Sequence, residues 1–172
     1  GVAMTKINEQ LGASGGGRNY LWYLLGPATG ANTVSISYNT SGNCFANVAS
    51  YTGAKQSAQP DASTTSIDSA VLNGGSHTTS LTTVADNCWM VVQTRGNQGT
   101  TNAGTGSTLR ASVDPGVRLF DSNAAISPAG SNSMTMVNNS GGTEVIANNS
   151  ASFAPAVAAA VGMSTLTLLG VG

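Results

Sequence analysis

The stretch TVSISY, residues 33–38, shows the clearest alternation of apolar and polar side chains in the sequence. Successive side chains of a β-strand point to opposite faces, so Val34, Ile36 and Tyr38 would share one face and the hydroxyl residues the other. A strand with one buried and one solvated face is typical of antiparallel sheets. The stretch therefore predicts an antiparallel strand that covers a core.

Similar runs recur along the chain, separated by clusters of Gly, Asn, Pro and Ser. This spacing predicts an all-β, antiparallel sandwich or barrel. The further strands are predicted near residues 2–7, 20–25, 44–51, 78–84, 88–94, 108–113, 117–120, 133–138 and 144–147. Low-complexity loops are predicted at 12–17 and at 97–107. The run GGGRN from residue 15 is predicted to be a hairpin tip, and residues 154–161 are a weak helix candidate.

The composition predicts a surface of hydroxyl and amide groups. Charged residues make up 8% of the chain, against roughly 25% in a typical soluble protein. Six basic and seven acidic residues form no basic cluster, which argues against a nucleic-acid partner. Such a surface is common on secreted proteins that pack against copies of themselves. We therefore expect an extracellular, cell-surface or virion-surface location.

Glycosylation triplets and cysteine residues both bear on the expected extracellular or surface location. Asn39, Asn138 and Asn148 each begin an N-glycosylation triplet, although a sequence rich in Asn and Ser also produces such triplets by chance. Cys44 and Cys88 both lie in predicted strands. A disulfide between them would close a long loop and contribute about 3–4 kcal/mol. Two buried free thiols are the equal alternative, since the sequence does not place the two Cβ atoms.

The aromatic residues divide into predicted core and candidate ligand contacts. Trp22 and Trp89 lie within apolar runs and are predicted to fill the space between two sheets. Tyr20, Tyr23 and Tyr51 are candidates for stacking against a sugar ring.

Catalytic chemistry has few candidates in this sequence. His77 is the single histidine, so a cluster of histidines around a metal is excluded, and a nucleophilic triad would need His77 beside a serine and an aspartate. We expect His77 to be an exposed or hydrogen-bonded residue at a strand edge. The acidic residues are scattered singly, mostly in turns. The sequence predicts a non-enzymatic protein without a cofactor.

A calcium site is the one metal site that the sequence leaves open. Asp61 or Asp68 could bind Ca²⁺ together with backbone carbonyl groups, because hard cations accept mixed oxygen ligands without a local motif.

Five strings, in this order, resemble a family of jelly-roll-like β-sandwich domains found in large secreted or surface proteins of environmental bacteria and in phage structural proteins. They are GVAMTKI at residue 1, YLWYLLGPATGANTVSIS at 20, ASYTGAKQ at 49, DNCWMVV at 86 and SPAGSNSMTM at 127. The resemblance implies a jelly-roll-like domain over residues 1–155, with binding or scaffold roles. It implies no catalytic residues.

The two ends depart from the family pattern. The family has further strand sequence before the GVAMT segment, so a first strand is expected to be missing here. An apolar tail, residues 156–172, follows where the family pattern ends, and its run MSTLTLLGVG resembles a strand. We expect Ser164, Leu166, Leu168 and Val171 to fill the vacant strand position, within the chain or in the next subunit. The alternative is that the chain is a fragment of a longer protein. A membrane span over 153–172 is not expected, given its Gly, Ser, Thr and Pro content.

Two functions follow from these observations. The first is a structural subunit of a filament, an appendage or a virion surface, which assembles with copies of itself by strand complementation. The second is a carbohydrate-binding or adhesion module of a larger surface protein.

Overall fold

The computed structural model describes residues 1–12, 17–39, 42–96, 99, 101–114 and 116–156. These residues form an all-β fold of antiparallel strands, which confirms the predicted β-sandwich. The strands are β1 Thr5–Leu11, β2 Arg18–Tyr23, β3 Ala62–Val71, β4 Ser76–Thr83, β5 Trp89–Gly96, β6 Thr101–Ala103, β7 Thr108–Asp114, β8 Val117–Asp121, β9 Gly130–Asn138 and β10 Glu144–Phe153. The described part of the chain contains no helix that could span a membrane.

Two sheets make up the sandwich. The larger sheet has five strands in the order β3-β10-β5-β8-β7, and the smaller has three in the order β4-β9-β6. Strand β4 has one face toward the core and one toward solvent, because its side chains alternate strictly between exposed and buried. His77, Thr79, Leu81 and Thr83 point inward, and the residues between them face solvent.

The apolar core lies between these two sheets. It consists of six buried side chains, Leu81, Met90, Val92, Phe120, Met134 and Met136. Burial of each such side chain stabilises the fold by roughly 1.5–3 kcal/mol. The inner face of β10 adds polar side chains to this interior, and the hydroxyl groups of Thr79 and Ser150 lie 2.9 Å apart across it.

The strands β1 and β2 form a hairpin that packs on the outer face of the five-stranded sheet. The loop predicted at residues 12–17 connects the two strands, and the Gly12 amide donates to the Gly17 carbonyl at 3.1 Å. Residues 13–16, where the hairpin tip is predicted, lie outside the described residues. Strand β10 is consequently buried on both faces. Small residues such as Ala147 and Ala151 on its outer face allow the hairpin to approach.

The strand predicted at residues 33–38 is wrong. This segment pairs with no strand among the described residues, and Val34, Ile36 and Tyr38 are 43%, 53% and 53% exposed. The strand predicted at 44–51 is also absent. Both segments have strand-like composition, but a strand exists only where a partner satisfies its backbone groups.

The structure also differs from the prediction in two other strands and at the helix candidate. Strand β3 is not among the predicted strands, because its sequence ASTTSIDSAV has only weak apolar alternation. Strand β6 lies inside the loop predicted at 97–107. In the helix candidate, Pro155 forms a β-bridge with Ala54, and residues 157–161 lie outside the described residues. The tail residues Ser164, Leu166, Leu168 and Val171 also lie outside the described residues, and the prediction that they fill a strand position stays a prediction.

Candidate functional site

Two aromatic side chains stand together on the outer surface of the β1–β2 hairpin. Tyr20 is 40% exposed and Trp22 is 47% exposed, and their ring centroids lie 6.4 Å apart with planes tilted by 45°. The prediction that Trp22 belongs to the core is wrong. Alternate residues of β2 point to opposite faces, and the inward face is taken by Asn19 and Leu21. We call Tyr20 and Trp22 the aromatic platform.

Buried amide side chains hold the platform against the large sheet. The Asn19 amide nitrogen donates to the carbonyl groups of Gln93, at 3.0 Å, and Ala147, at 3.2 Å. The Asn149 amide donates in return to the Asn19 carbonyl at 2.7 Å. On β1, the Asn8 amide donates to the Thr64 carbonyl at 3.2 Å. These bonds join the hairpin to three strands of the sheet, so the platform is held in a fixed position.

Charged side chains border the platform on the same hairpin. Glu9 forms ion pairs with Lys6, at 3.0 Å, and with Arg18. The Lys6 ammonium group also lies 5.8 Å from the centre of the Tyr20 ring. The surface therefore combines an apolar stacking face with hydrogen-bond donors and acceptors.

The other two tyrosine candidates occupy different environments. The Tyr23 ring is half-buried against Phe153, and its hydroxyl donates to the Gln59 carbonyl at 2.6 Å, which leaves it a structural role. The ring centroid of Tyr51 lies 6.0 Å from that of the half-buried Trp89. Both residues line a recess of about 250 Å³. The structure therefore separates the three tyrosines that the sequence grouped together.

An ion pair between the partly exposed Arg110 and the buried Asp121 lines the Tyr51 recess. The Arg110 guanidinium donates to the buried Asp121 carboxylate at 2.6 Å, and the Tyr51 hydroxyl donates to the same oxygen at 3.0 Å. Burial, together with the neighbouring carboxylate, raises the pKa of Tyr51. The hydroxyl therefore stays protonated and remains a donor to Asp121.

His77 meets both a serine and an aspartate between the edges of the two sheets. Its Nε2 atom lies 3.4 Å from Ser66 Oγ, and its Nδ1 atom lies 3.7 Å from Asp68 Oδ2. The His77 residue is only 3% exposed, so of the two alternatives expected for it the hydrogen-bonded one applies. Burial lowers the pKa of His77, and Asp68 opposes that effect without reversing it.

A tight turn brings these residues together. Gly74 has a φ of 77°, a left-handed conformation that favours glycine, and the Gly75 amide donates to the Leu72 carbonyl at 2.8 Å. This turn carries the chain from β3 in one sheet to β4 in the other. The sequence offered SHTTS as a strand start, but it gave no signal that β3 would lie opposite.

The two cysteines are free thiols, so the disulfide considered from the sequence is not formed. Cys44 is exposed, whereas Cys88 is buried with its sulfur 3.0 Å from the Ala85 carbonyl oxygen. Burial is the main cause that raises the pKa of the Cys88 thiol to about 11, and a hydrogen bond to Asp61 acts in the same direction.

Neither calcium candidate lies in a ligand cluster. Asp61 Oδ2 already accepts hydrogen bonds from the Val84 amide, at 2.7 Å, and the Ser152 hydroxyl, at 3.3 Å. Asp68 contacts His77 and the Ala70 amide. Within the described residues, no three His, Cys, Asp or Glu side chains come close enough to hold a metal ion.

The glycosylation candidates differ in exposure. Asn39 is exposed and accessible. Asn138 is fully buried and its amide donates to the Val71 and Gly142 carbonyls, so the prediction for this residue is wrong. Asn148 is also fully buried, and the prediction for it is wrong for the same reason. A triplet in the sequence does not reveal whether its asparagine points inward.

No protein-family model, curated protein or solved structure matches the chain. The resemblance to jelly-roll-like domains of secreted and phage proteins therefore stays a prediction.

Proposed function

We propose that this protein is a structural subunit of an extracellular assembly and associates with copies of itself through residues 33–38. The observation that carries the proposal is the exposure of Val34, Ile36 and Tyr38 in a segment that pairs with no strand of the described chain. Apolar side chains exposed close together in this way can mark surfaces that bind other proteins.

The occupant of this surface is a β-strand from a second copy. The segment TVSISY is rich in β-branched and aromatic residues, which favour strand pairing. An added strand would satisfy its backbone groups and cover its apolar face. The sequence offers one donor in residues 164–171, which lie outside the described residues. Head-to-tail donation of this kind generates a filament when the contact does not close.

Substitution of Ile36 by lysine tests the proposal. We expect wild-type protein to form polymers whose size increases with concentration, and Ile36→Lys to remain monomeric, because the lysine places a charge in the apolar contact. Light scattering after size exclusion, together with negative-stain microscopy, measures both. The matched control is Leu72→Lys, which alters another exposed side chain and should assemble as the wild type does. Monomeric wild-type protein at every concentration would contradict the proposal.

The aromatic platform favours a second function, in which the protein is a carbohydrate-binding or adhesion module. Exposed aromatic rings on a rigid strand surface offer flat apolar faces to sugar rings, and adjacent charged groups can bond to the hydroxyl groups. Tyr20 and Trp22 are the exposed pair, with Lys6, Glu9 and Arg18 beside them. This proposal does not require self-association.

Replacement of Trp22 by alanine tests the second function. We expect Trp22→Ala to weaken binding to a glycan identified on an array by about tenfold, the loss that corresponds to about 1.4 kcal/mol of stacking energy. Titration calorimetry with monomeric protein measures the change. Tyr38→Ala removes an exposed aromatic ring away from the platform and serves as the control. The absence of any glycan ligand, or equal losses in both variants, would count against this function.

A further inference from the structure

The cluster of Ser66, His77 and Asp68 has the arrangement of a nucleophile, its base and the carboxylate that orients the base. In such triads the serine contacts one imidazole nitrogen and the aspartate contacts the other. Here Ser66 Oγ lies 3.4 Å from Nε2 and Asp68 Oδ2 lies 3.7 Å from Nδ1. Catalytic hydrogen bonds are often this long before substrate binds.

Asn148 supplies an independent observation beside Ser66. The two residues are directly paired across strands β3 and β10, so their side chains project from the same face of the sheet about 5 Å apart at Cβ. Asn148 is fully buried, and neither its amide nitrogen nor its amide oxygen has a hydrogen-bond partner among the described residues. A buried amide without a partner is costly and calls for an explanation. A bound carbonyl oxygen next to Ser66 would provide a partner for its N–H groups.

We propose that Ser66, His77, Asp68 and Asn148 form an acyl-transfer site that hydrolyses small carboxylic esters. This activity goes beyond the proposed assembly function and departs from the non-enzymatic character predicted from the sequence. Ser66 and His77 are the catalytic residues, Asn148 donates to the developing oxyanion, and Asp68 is a positioning residue. Substrate enters between the edges of β3 and β4, where Ser66 is half-buried and the Asp68 side chain is 46% exposed.

The reaction proceeds in two balanced steps. Ser66 Oγ attacks the carbonyl carbon of the ester while its proton passes to His77 Nε2, and the Asn148 amide stabilises the oxyanion. The C–O bond to the alcohol breaks, and the alcohol leaves with the proton from Nε2. Water then attacks the acyl-Ser66 ester and gives a proton to Nε2, which returns it to Ser66 Oγ as the acid departs. The sum is ester plus water to acid plus alcohol.

The burial of the cluster limits the substrate class. His77 is almost fully buried, and β3 and β4 enclose the cluster from both sheets. Short acyl groups with a good leaving group therefore fit the geometry better than polymers. p-Nitrophenyl acetate and a small fluorophosphonate are suitable probes.

Covalent trapping of the wild-type protein tests the proposal without any mutation. We expect the fluorophosphonate to add one phosphonyl group at Ser66, identified by intact mass and peptide mapping. His77→Gln should slow the labelling by about 10²- to 10⁴-fold, the range for loss of a general base. Ser63→Ala changes an exposed serine on the opposite face of β3 and should label as the wild type does.

Hydrolysis of p-nitrophenyl acetate provides the second measurement. Ser66→Ala should abolish turnover, and Asn148→Ala should lower kcat by about 10²- to 10³-fold. Asp68→Asn should lower kcat and leave KM unchanged, since Asp68 does not contact the substrate; a purely structural role would not produce this separation. Labelling of other residues with none at Ser66, or equal turnover by the wild type and Ser66→Ala, would overturn the proposal. Because the trapping uses native protein, it decides the question even if a variant does not fold.

Discussion

Replacement of Phe120 by alanine is expected to lower the free energy of unfolding by about 3–5 kcal/mol. Phe120 is a fully buried member of the apolar core and is the largest of its fully buried side chains. It projects from β8 toward Met134 and Met136 of the facing sheet. Replacement by alanine loses the free energy of transferring the ring from water into the core. It also leaves a cavity that the packed sheets fill only in part.

Denaturant unfolding followed by circular dichroism measures this loss. The control is Leu109→Ala, because Leu109 is paired with Phe120 on the neighbouring strand β7 but is 39% exposed. We expect the control to cost less than about 1 kcal/mol, since a partly exposed side chain loses less burial. Equal costs at the two positions would show that the core is not where the structure places it.

Removal of Arg110 is the second large effect, expected to cost about 2–4 kcal/mol. Asp121 is fully buried, and its Oδ2 atom accepts hydrogen bonds from both Arg110 and the Tyr51 hydroxyl. In Arg110→Ala, the carboxylate keeps the Tyr51 hydroxyl and the Asn123 amide but loses its cation. A buried charge without an opposite charge is strongly unfavourable, although the partial exposure of Arg110 moderates the cost.

A double-mutant cycle isolates this electrostatic contribution. In the Asp121→Asn background no negative charge remains beside Arg110, so Arg110→Ala should cost much less than it does in the wild type. Denaturant unfolding of the four proteins at neutral pH gives the coupling energy. The same cost for Arg110→Ala in both backgrounds would mean that Arg110 acts through packing alone.

The two proposed functions use separate surfaces and can be tested independently. Assembly depends on residues 33–38, and glycan binding depends on Tyr20 and Trp22. A protein can have both properties, because an assembly that repeats a binding site on its subunits gains avidity. The variants Ile36→Lys and Trp22→Ala should therefore each impair one property and leave the other intact.

The sequence by itself determined the fold class. Short apolar alternations separated by turn residues impose strands of period two, and the low charge leaves a surface of hydroxyl and amide groups. The segments that form β5 and β8 could be located from these local signals. Local signals are sufficient there because strand direction and turn chemistry depend on neighbouring residues.

Only the tertiary structure decided which faces are buried and which side chains meet. TVSISY has the pattern of a half-buried strand, yet it is exposed because no described strand pairs with it. Trp22 lies in an apolar run, yet it faces solvent because Asn19 takes the inward face through hydrogen bonds to a distant sheet. Ser66 and His77 meet because the turn at Gly74 leads from one sheet to the other. Burial and proximity arise from contacts between residues far apart in the chain, which a local pattern does not encode.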